Sequence, residues 1–361
     1  MQEDDKNLIE KLFEENDWSG VISKCTKILE KDAKDIEAYF KRASAYGNLQ
    51  ELELCLQDAE RMKELAPDDY RGYYLAGLVY IMTNQYEKAV ADYDKAIELN
   101  PESWKVYNNR GVSKSNLGDN VGAISDYDKA LELNPEDADA YNNRGLCKSA
   151  LGDNIGAIAD YDKALELNPE DVEVYKSRAE AKYNISDYVG AITDCDKALE
   201  LDSEAAAGYN NRGLCKSALG DNIDAIADYD KALELEPEDA KAYNNRAETK
   251  YAIGDKVGAI ADYDKVLELN FKYVHVYNNR GLCKSDLGDD VGAIGDFTKA
   301  IELNRNEECY LFGYINRSMS YERLGRYKEA LADVNKYLES DPENNDALEF
   351  KQKIEEKLKN E

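Results

Sequence analysis

One histidine (His275), six prolines and no Cys-x-x-Cys pair in 361 residues narrow the possibilities before any motif is sought. A Cys/His zinc site has almost no material in such a chain. Scarce proline suits helices, because an interior proline removes a hydrogen bond and clashes with the turn before it. Basic residues are also in the minority: 46 Lys and Arg face 75 Asp and Glu, for a formal net charge of −29. Nucleic-acid phosphates and anionic membranes both need clustered cations, so neither is expected as a partner. No apolar run reaches the length of a membrane span, and the acidic start Met1-Gln2-Glu3-Asp4-Asp5 does not read as a signal peptide. The cysteines Cys25, Cys55, Cys147, Cys195, Cys215, Cys283 and Cys309 are odd in number. They read as reduced, packed thiols of a cytoplasmic protein. Hydrophobic residues make up 43%, which excludes wholesale disorder.

What is present is a repeat. Pro67, Pro101, Pro135 and Pro169 are each 34 residues apart, and Pro237 follows 68 further on, with Ser203 and Phe271 at the intervening and following places. Residues 141–171 and 209–239 are near copies, differing at Gly156 against Asp224 and Asn168 against Glu236. Units of this length begin near Gln2, Ile36, Tyr70, Trp104, Ala138, Val172, Ala206, Ala240, Val274 and Leu311, with three extra residues around Glu308 to Tyr310. They occupy 1–344 and leave a tail, 345–361.

Each unit reads as two helices. In the fifth, the first helix runs from about Tyr141 to Leu151; Gly152 offers a left-handed cap and Asp153 an N-cap for the second. Ala157, Ile158, Tyr161, Ala164 and Leu165 then form one apolar stripe, and Asn168-Pro169 ends the helix. Glycine recurs at position 8 of the unit (Gly77, Gly111, Gly145, Gly213, Gly281) and alanine at position 20. A helical glycine costs roughly 1 kcal/mol relative to alanine, so its recurrence points to close helix packing. In the first unit Trp18, Val21, Cys25 and Ile28 fit a second helix, while its first helix matches poorly. The tail residues Ala347, Phe350, Ile354 and Leu358 suit a capping helix.

The pattern resembles the tetratricopeptide repeat (TPR) family: aromatic at position 4 (Tyr107, Tyr141, Tyr209), small at 8, Ala at 20, aromatic at 24 (Tyr93, Tyr127, Tyr161) and Pro at 32. The resemblance implies an all-α, right-handed superhelical solenoid of about ten helix-turn-helix repeats with a concave groove lined by the first helices.

Two features depart from the family average. Arg occupies position 7 in eight units, and in those same units position 23 is Asp, as in Arg144 with Asp160. This co-occurrence predicts an ion pair between the two helices of a unit; the alternative is an arginine row facing a ligand. Pairs of units also appear duplicated, since Arg-Gly-Leu-Cys-Lys-Ser recurs at 144–149, 212–217 and 280–285.

No phosphate loop, dinucleotide fingerprint or His-Glu-x-x-His is present, and Asp137-x-Asp139 lacks the rest of a calcium loop. Catalytic residues, cofactor and metal are therefore all assigned as none. The acids Asp128, Asp162, Asp196 and Asp230 read as a solvated outer face, and Cys147, Cys215 and Cys283 as packed thiols with no histidine to activate them.

The functional signal is asparagine. Tyr-Asn-Asn-Arg recurs, and position 6 gives Asn109, Asn143, Asn211, Asn245, Asn279 and Asn316, interrupted by Ser177. A side-chain amide can pair with both the C=O and the N–H of an extended peptide. A similar row holds peptide backbone in the repeat domain of O-linked N-acetylglucosamine transferases. The competing reading is that these amides bond neighbouring helices. A chaperone-type carboxylate clamp would use Lys176, Asn211 and Lys241, but Glu180 and Asn245 replace two expected residues, and Glu180 repels a carboxylate. The expectation is a non-enzymatic scaffold binding a protein or extended peptide, favourably a basic one. The alternatives are a chaperone-tail adaptor or the targeting subunit of a larger enzyme complex.

Overall fold

The computed structural model describes residues 3–270, 272–303 and 309–359. Gln2, Phe271, the insertion at Glu308 and the side chains of Cys309 and Tyr310 lie outside that description. All 21 regular elements among the described residues are helices, in two compact units, 1–185 and 186–361.

The first unit holds α1 (Glu3–Glu14), α2 (Trp18–Lys31), α3 (Ile36–Asn48), α4 (Leu52–Leu65), α5 (Tyr70–Met82), α6 (Tyr86–Leu99), α7 (Trp104–Asn116), α8 (Asn120–Leu133), α9 (Ala138–Ala150), α10 (Asn154–Leu167) and α11 (Val172–Asn184). The second holds α12 (Tyr188–Leu201), α13 (Ala206–Leu219), α14 (Asn222–Leu235), α15 (Ala240–Ala252), α16 (Lys256–Leu269), α17 (Val274–Asp286), α18 (Asp290–Leu303), α19 (Cys309–Arg323), α20 (Tyr327–Leu338) and α21 (Asn345–Lys359). Within each unit every helix packs on the next in sequence. The first helices of successive repeats also touch, as α5 does α7, α7 does α9, and α13 does α15. First helices therefore line the tighter face of each stack. This is the TPR solenoid arrangement.

The turns explain the short connections. After α9, Gly152 takes φ +85°, and the Asp153 amide donates back to the Lys148 carbonyl at 2.9 Å. Asp153 then accepts from the Gly156 amide at 2.9 Å, capping α10. Glycine is not the universal solution, however. Asn16, Gln50, Asn84 and Ser186 hold the same left-handed turn at φ 54°, 59°, 56° and 64°. Asparagine tolerates this region best among them; the turn pays for the rest with backbone strain.

The core is built on aromatic rings set against small residues. Tyr93, Tyr127, Tyr161, Tyr229, Tyr263 and Phe297 are fully buried. A Cβ on Gly145 would lie 2.7 Å from the Tyr161 ring, which is why position 8 is so often glycine. At the amino end α1 does pack: Ile9, Leu12 and Phe13 join Val21, Cys25 and Ile28 of α2. At the other end Ile354 of α21 is buried against Ala330 and Val334, with Phe350 beside them.

The position-7 arginines pair as their co-occurrence predicts. Nη2 of Arg42, Arg110, Arg144, Arg212, Arg246 and Arg280 lies 2.5–2.7 Å from Asp58, Asp126, Asp160, Asp228, Asp262 and Asp296. Arg317 meets Asp333 at 2.7 Å through Nε. A lysine one turn further along reaches the same carboxylate, as Lys148 does Asp160 at 2.8 Å. The tyrosine at position 4 lies under the guanidinium, 5.4 Å away for Tyr141 and Arg144. Asp128, Asp162, Asp196 and Asp230 are solvent-exposed, as the sequence reading has them, but they are also paired. Each accepts from the arginine of the following repeat: Arg144, Arg178, Arg212 and Arg246, at 2.5–2.7 Å. One arginine thus ties its own helix pair to the preceding one. Burial opposes its charge, but the carboxylate bonds outweigh that and raise its pKa.

Candidate functional site on the first helices

The sequence Tyr-Asn-Asn-Arg places four consecutive side chains around a first helix. Tyrosine and arginine enter the ion-pair layer, and the two asparagines occupy the remaining arc. All six position-6 residues are half-buried: Asn109 and Asn143 in the first unit, and Asn211, Asn245, Asn279 and Asn316 in the second.

Their partners differ. Asn109 faces the phenols of Tyr74 and Tyr93 from the preceding repeat, and Asn279 faces that of Tyr263. Ser177, which interrupts the row, takes the equivalent place beside Tyr161. Burial pushes the phenols of Tyr93, Tyr161 and Tyr263 up, so these hydroxyls remain neutral groups. Asn245 Nδ2 donates to Asn210 Oδ1 at 3.0 Å, and Asn316 Nδ2 to Asn278 Oδ1 at 3.1 Å. Asn143 and Asn211 make no side-chain hydrogen bond among the described residues.

The position-5 asparagines were not singled out by sequence reasoning, although the doubled Asn-Asn carried the signal. Asn210 and Asn278 accept from the next repeat. The buried Oδ1 atoms of Asn108, Asn142 and Asn244 have no hydrogen-bond partner among the described residues. Each stands one repeat before Asn143, Ser177 or Asn279, at the register where Asn210 and Asn278 find theirs. An inter-repeat amide relay is therefore built into the sequence and closed at two places.

In the second unit the row opens onto a cavity of about 970 Å³, lined by Asn210, Asn211, Glu236, Glu238, Lys241 and Tyr273 among others. Of the clamp residues, Lys241 and Asn211 share this cavity wall, while Lys176 belongs to the first unit and pairs with Glu173 at 2.7 Å. His275 is exposed, edge-on to Tyr273 at 5.6 Å. No group of three or more His, Cys, Asp or Glu side chains among the described residues could hold a metal ion. No helix among them is long and apolar enough to cross a membrane.

Family models place this geometry. Those described as tetratricopeptide repeat or TPR repeat match residues 138–171, 206–239, 77–118, 115–152, 240–273 and 313–344. The chain belongs to the tetratricopeptide repeat family. Among solved structures it is similar to a tetratricopeptide repeat protein from Parabacteroides merdae, with 21% identity and a TM-score of 0.51 over 69% of this chain and 98% of that one. It is also similar to PilF from Pseudomonas aeruginosa, at 19% identity and a TM-score of 0.53 over 60% of this chain and 100% of that one. Yeast Tom70 matches at 16% identity and a TM-score of 0.47, over 98% of this chain and 96% of that one.

Proposed function

We propose that this protein is a non-enzymatic interaction scaffold that binds an extended peptide along its first helices through the asparagine row. The observation that carries the reading is Asn211. It is half-buried, makes no side-chain hydrogen bond among the described residues, and lines the 970 Å³ cavity. Its amide can offer a donor and an acceptor to a peptide backbone. Glu236 and Glu238 on the same wall, and the net charge of −29, favour a basic partner by electrostatic steering. A cytoplasmic setting fits the six unpaired cysteines among the described residues.

Each amide–peptide bond contributes about 0.5–1.5 kcal/mol net, so a single Asn→Ala change weakens binding roughly 2- to 12-fold. The test is affinity capture of extended peptides from a random library, followed by titration against the parent and a variant with Asn211, Asn245 and Asn279 all changed to alanine. A loss on the order of 100-fold with unchanged helicity is expected. Equal binding by the triple variant sinks the reading.

A further inference from the structure

Second helices of the middle repeats carry an exposed aliphatic residue at one fixed place. In the second unit it is Val189 on α12, Ile223 on α14, Val257 on α16 and Val291 on α18, each the second residue of its helix and 65–72% exposed. The first unit has Val121 on α8 and Ile155 on α10. Single exposed aliphatics are ordinary on a protein surface. These recur in one register, and the fold does not ask for them. The same place holds Ser19, Glu53, Glu87 and Lys328 on α2, α4, α6 and α20, helices that form without an aliphatic there. In those repeats the apolar residue stands one position earlier, where Trp18, Leu52 and Tyr327 pack against the core. In α14 and α18 that earlier position is Asn222 or Asp290, which accepts a hydrogen bond from Ser217 or Ser285 at 3.4 and 3.5 Å. The aliphatic side chain therefore sits one residue further round the helix, in solvent. Valine and isoleucine are also weaker helix formers than alanine or glutamate, so neither packing nor propensity accounts for them.

Within the second unit the four side chains follow one line along the stack, because α12 to α18 pack in sequence and the position is fixed in the repeat. Leu219, Ile253 and Leu287 stand four residues before Ile223, Val257 and Val291, across the turn. They are exposed as well and widen the apolar strip. Its border is acidic. Two residues before each aliphatic is an exposed aspartate: Asp187, Asp221, Asp255 and Asp289. Three of them cap their helices through Oδ1, accepting from the amides of Gly190, Gly258 and Gly292 at 2.8–3.0 Å. Asp224 adds a further exposed carboxylate beside Ile223. Lys256, the cation next to Val257, is held by Asp286 at 2.9 Å.

We propose that this strip is a docking surface for a basic amphipathic segment of a partner protein, separate from the asparagine row. The aliphatic side chains meet the apolar face of the segment, and the aspartates meet the lysines or arginines beside that face. A second copy of this chain brings acid against acid, and the same charges repel an anionic membrane.

The probe is a labelled peptide of three Leu-Lys-Lys-Leu-Leu-Lys-Leu heptads, titrated against the whole protein by fluorescence anisotropy. The control peptide has glutamate in place of lysine. The decisive variant combines Val189→Ser, Ile223→Ser, Val257→Ser and Val291→Ser, the residue that Ser19 already supplies at this place. It keeps the net charge, so the general attraction of a basic peptide to an acidic protein is unchanged. Binding is expected to weaken roughly 30-fold or more, with the circular dichroism and urea midpoint of the parent. Asp187→Asn, Asp255→Asn and Asp289→Asn together keep the helix caps but should weaken binding several-fold and reduce its salt dependence. Asn211→Ala binds the probe as the parent does. The proposal is overturned if the lysine peptide does not bind the parent, if the serine variant binds it equally well, or if the glutamate peptide binds as tightly. A loss of binding in Asn211→Ala as large as in the serine variant also overturns it and places the probe in the groove. Sedimentation velocity that shows a parent dimer, dissolved by the serine variant, overturns it in favour of a second copy. Vesicles of phosphatidylserine or phosphatidylcholine that retain the parent but not the serine variant overturn it in favour of a lipid surface.

Discussion

The guanidinium of Arg144 holds Asp160 through two hydrogen bonds, 2.9 Å from Nε and 2.5 Å from Nη2. The carboxylate is almost fully buried, with its side chain 5% exposed, whereas that of Asp128 on the other side of the same guanidinium is 58% exposed. The two bonds therefore carry different weight. Arg144→Ala leaves Asp160 with Lys148 alone, at 2.8 Å. Breaking a fully buried pair costs about 3–5 kcal/mol, and the remaining lysine reduces that to roughly 2–3 kcal/mol. Asp128→Asn costs less than about 1 kcal/mol, as solvent screens that pair. Urea unfolding followed by circular dichroism separates the two, and equal midpoints for both variants contradict this ranking.

A second expectation concerns Gly145. Alanine there gains helix propensity, worth roughly 1 kcal/mol, but its Cβ falls 2.7 Å from the Tyr161 ring. The protein itself shows how this balances: Ala247 occupies the same place and is buried in one cluster with Tyr263. The ring can therefore yield. Gly145→Ala is expected to stay within about 1 kcal/mol of the parent, and Gly145→Val to cost roughly 2–3 kcal/mol by overpacking. Thermal melts of the two variants check the order.

A third expectation is acid sensitivity at the carboxyl end. Burial alone raises the pKa of Glu322 on α19, but hydrogen bonds from Lys357 and Lys353 of α21, with contacts at 2.6 and 3.2 Å, outweigh it and hold the carboxyl below its usual range. A depressed carboxylate pKa stabilises docking above the unfolded value, and that contribution is lost as pH falls through the folded value. Limited proteolysis of α21 should thus accelerate as pH drops below the ordinary glutamate range. Glu322→Gln should remove that pH dependence and leave α21 equally accessible at neutral pH and in acid.

The pairing of Arg144 with Asp160 was legible because two residue types rose and fell together across repeats. The link from Arg144 back to Asp128 was not. A charge that recurs on the exposed side of an amphipathic helix reads as solvated, and nothing in a single repeat reveals that the next repeat supplies a cation. The same limit explains the asparagines. Their positions on the first helices follow from the period, but the bond from Asn245 to Asn210 lies between repeats.

That inter-repeat bond divides the asparagine row into two kinds. Asn245 donates to Asn210 at 3.0 Å, and Asn210 is buried. Asn245→Ala therefore strands a buried acceptor and should lower stability by about 1–2 kcal/mol whether or not a peptide binds. Asn316→Ala removes the donor to Asn278, which is only half-buried and can turn to water, so the cost should be smaller. Asn211 has no such bond, so Asn211→Ala should leave stability within roughly 0.5 kcal/mol of the parent. Any loss of peptide affinity in that variant then reports on binding alone. The check is a pair of measurements on each single variant, a urea midpoint and a titration with captured peptide. If Asn211→Ala destabilises as much as Asn245→Ala and binds as well as the parent, the row is a device for joining repeats and peptide recognition belongs elsewhere on the solenoid.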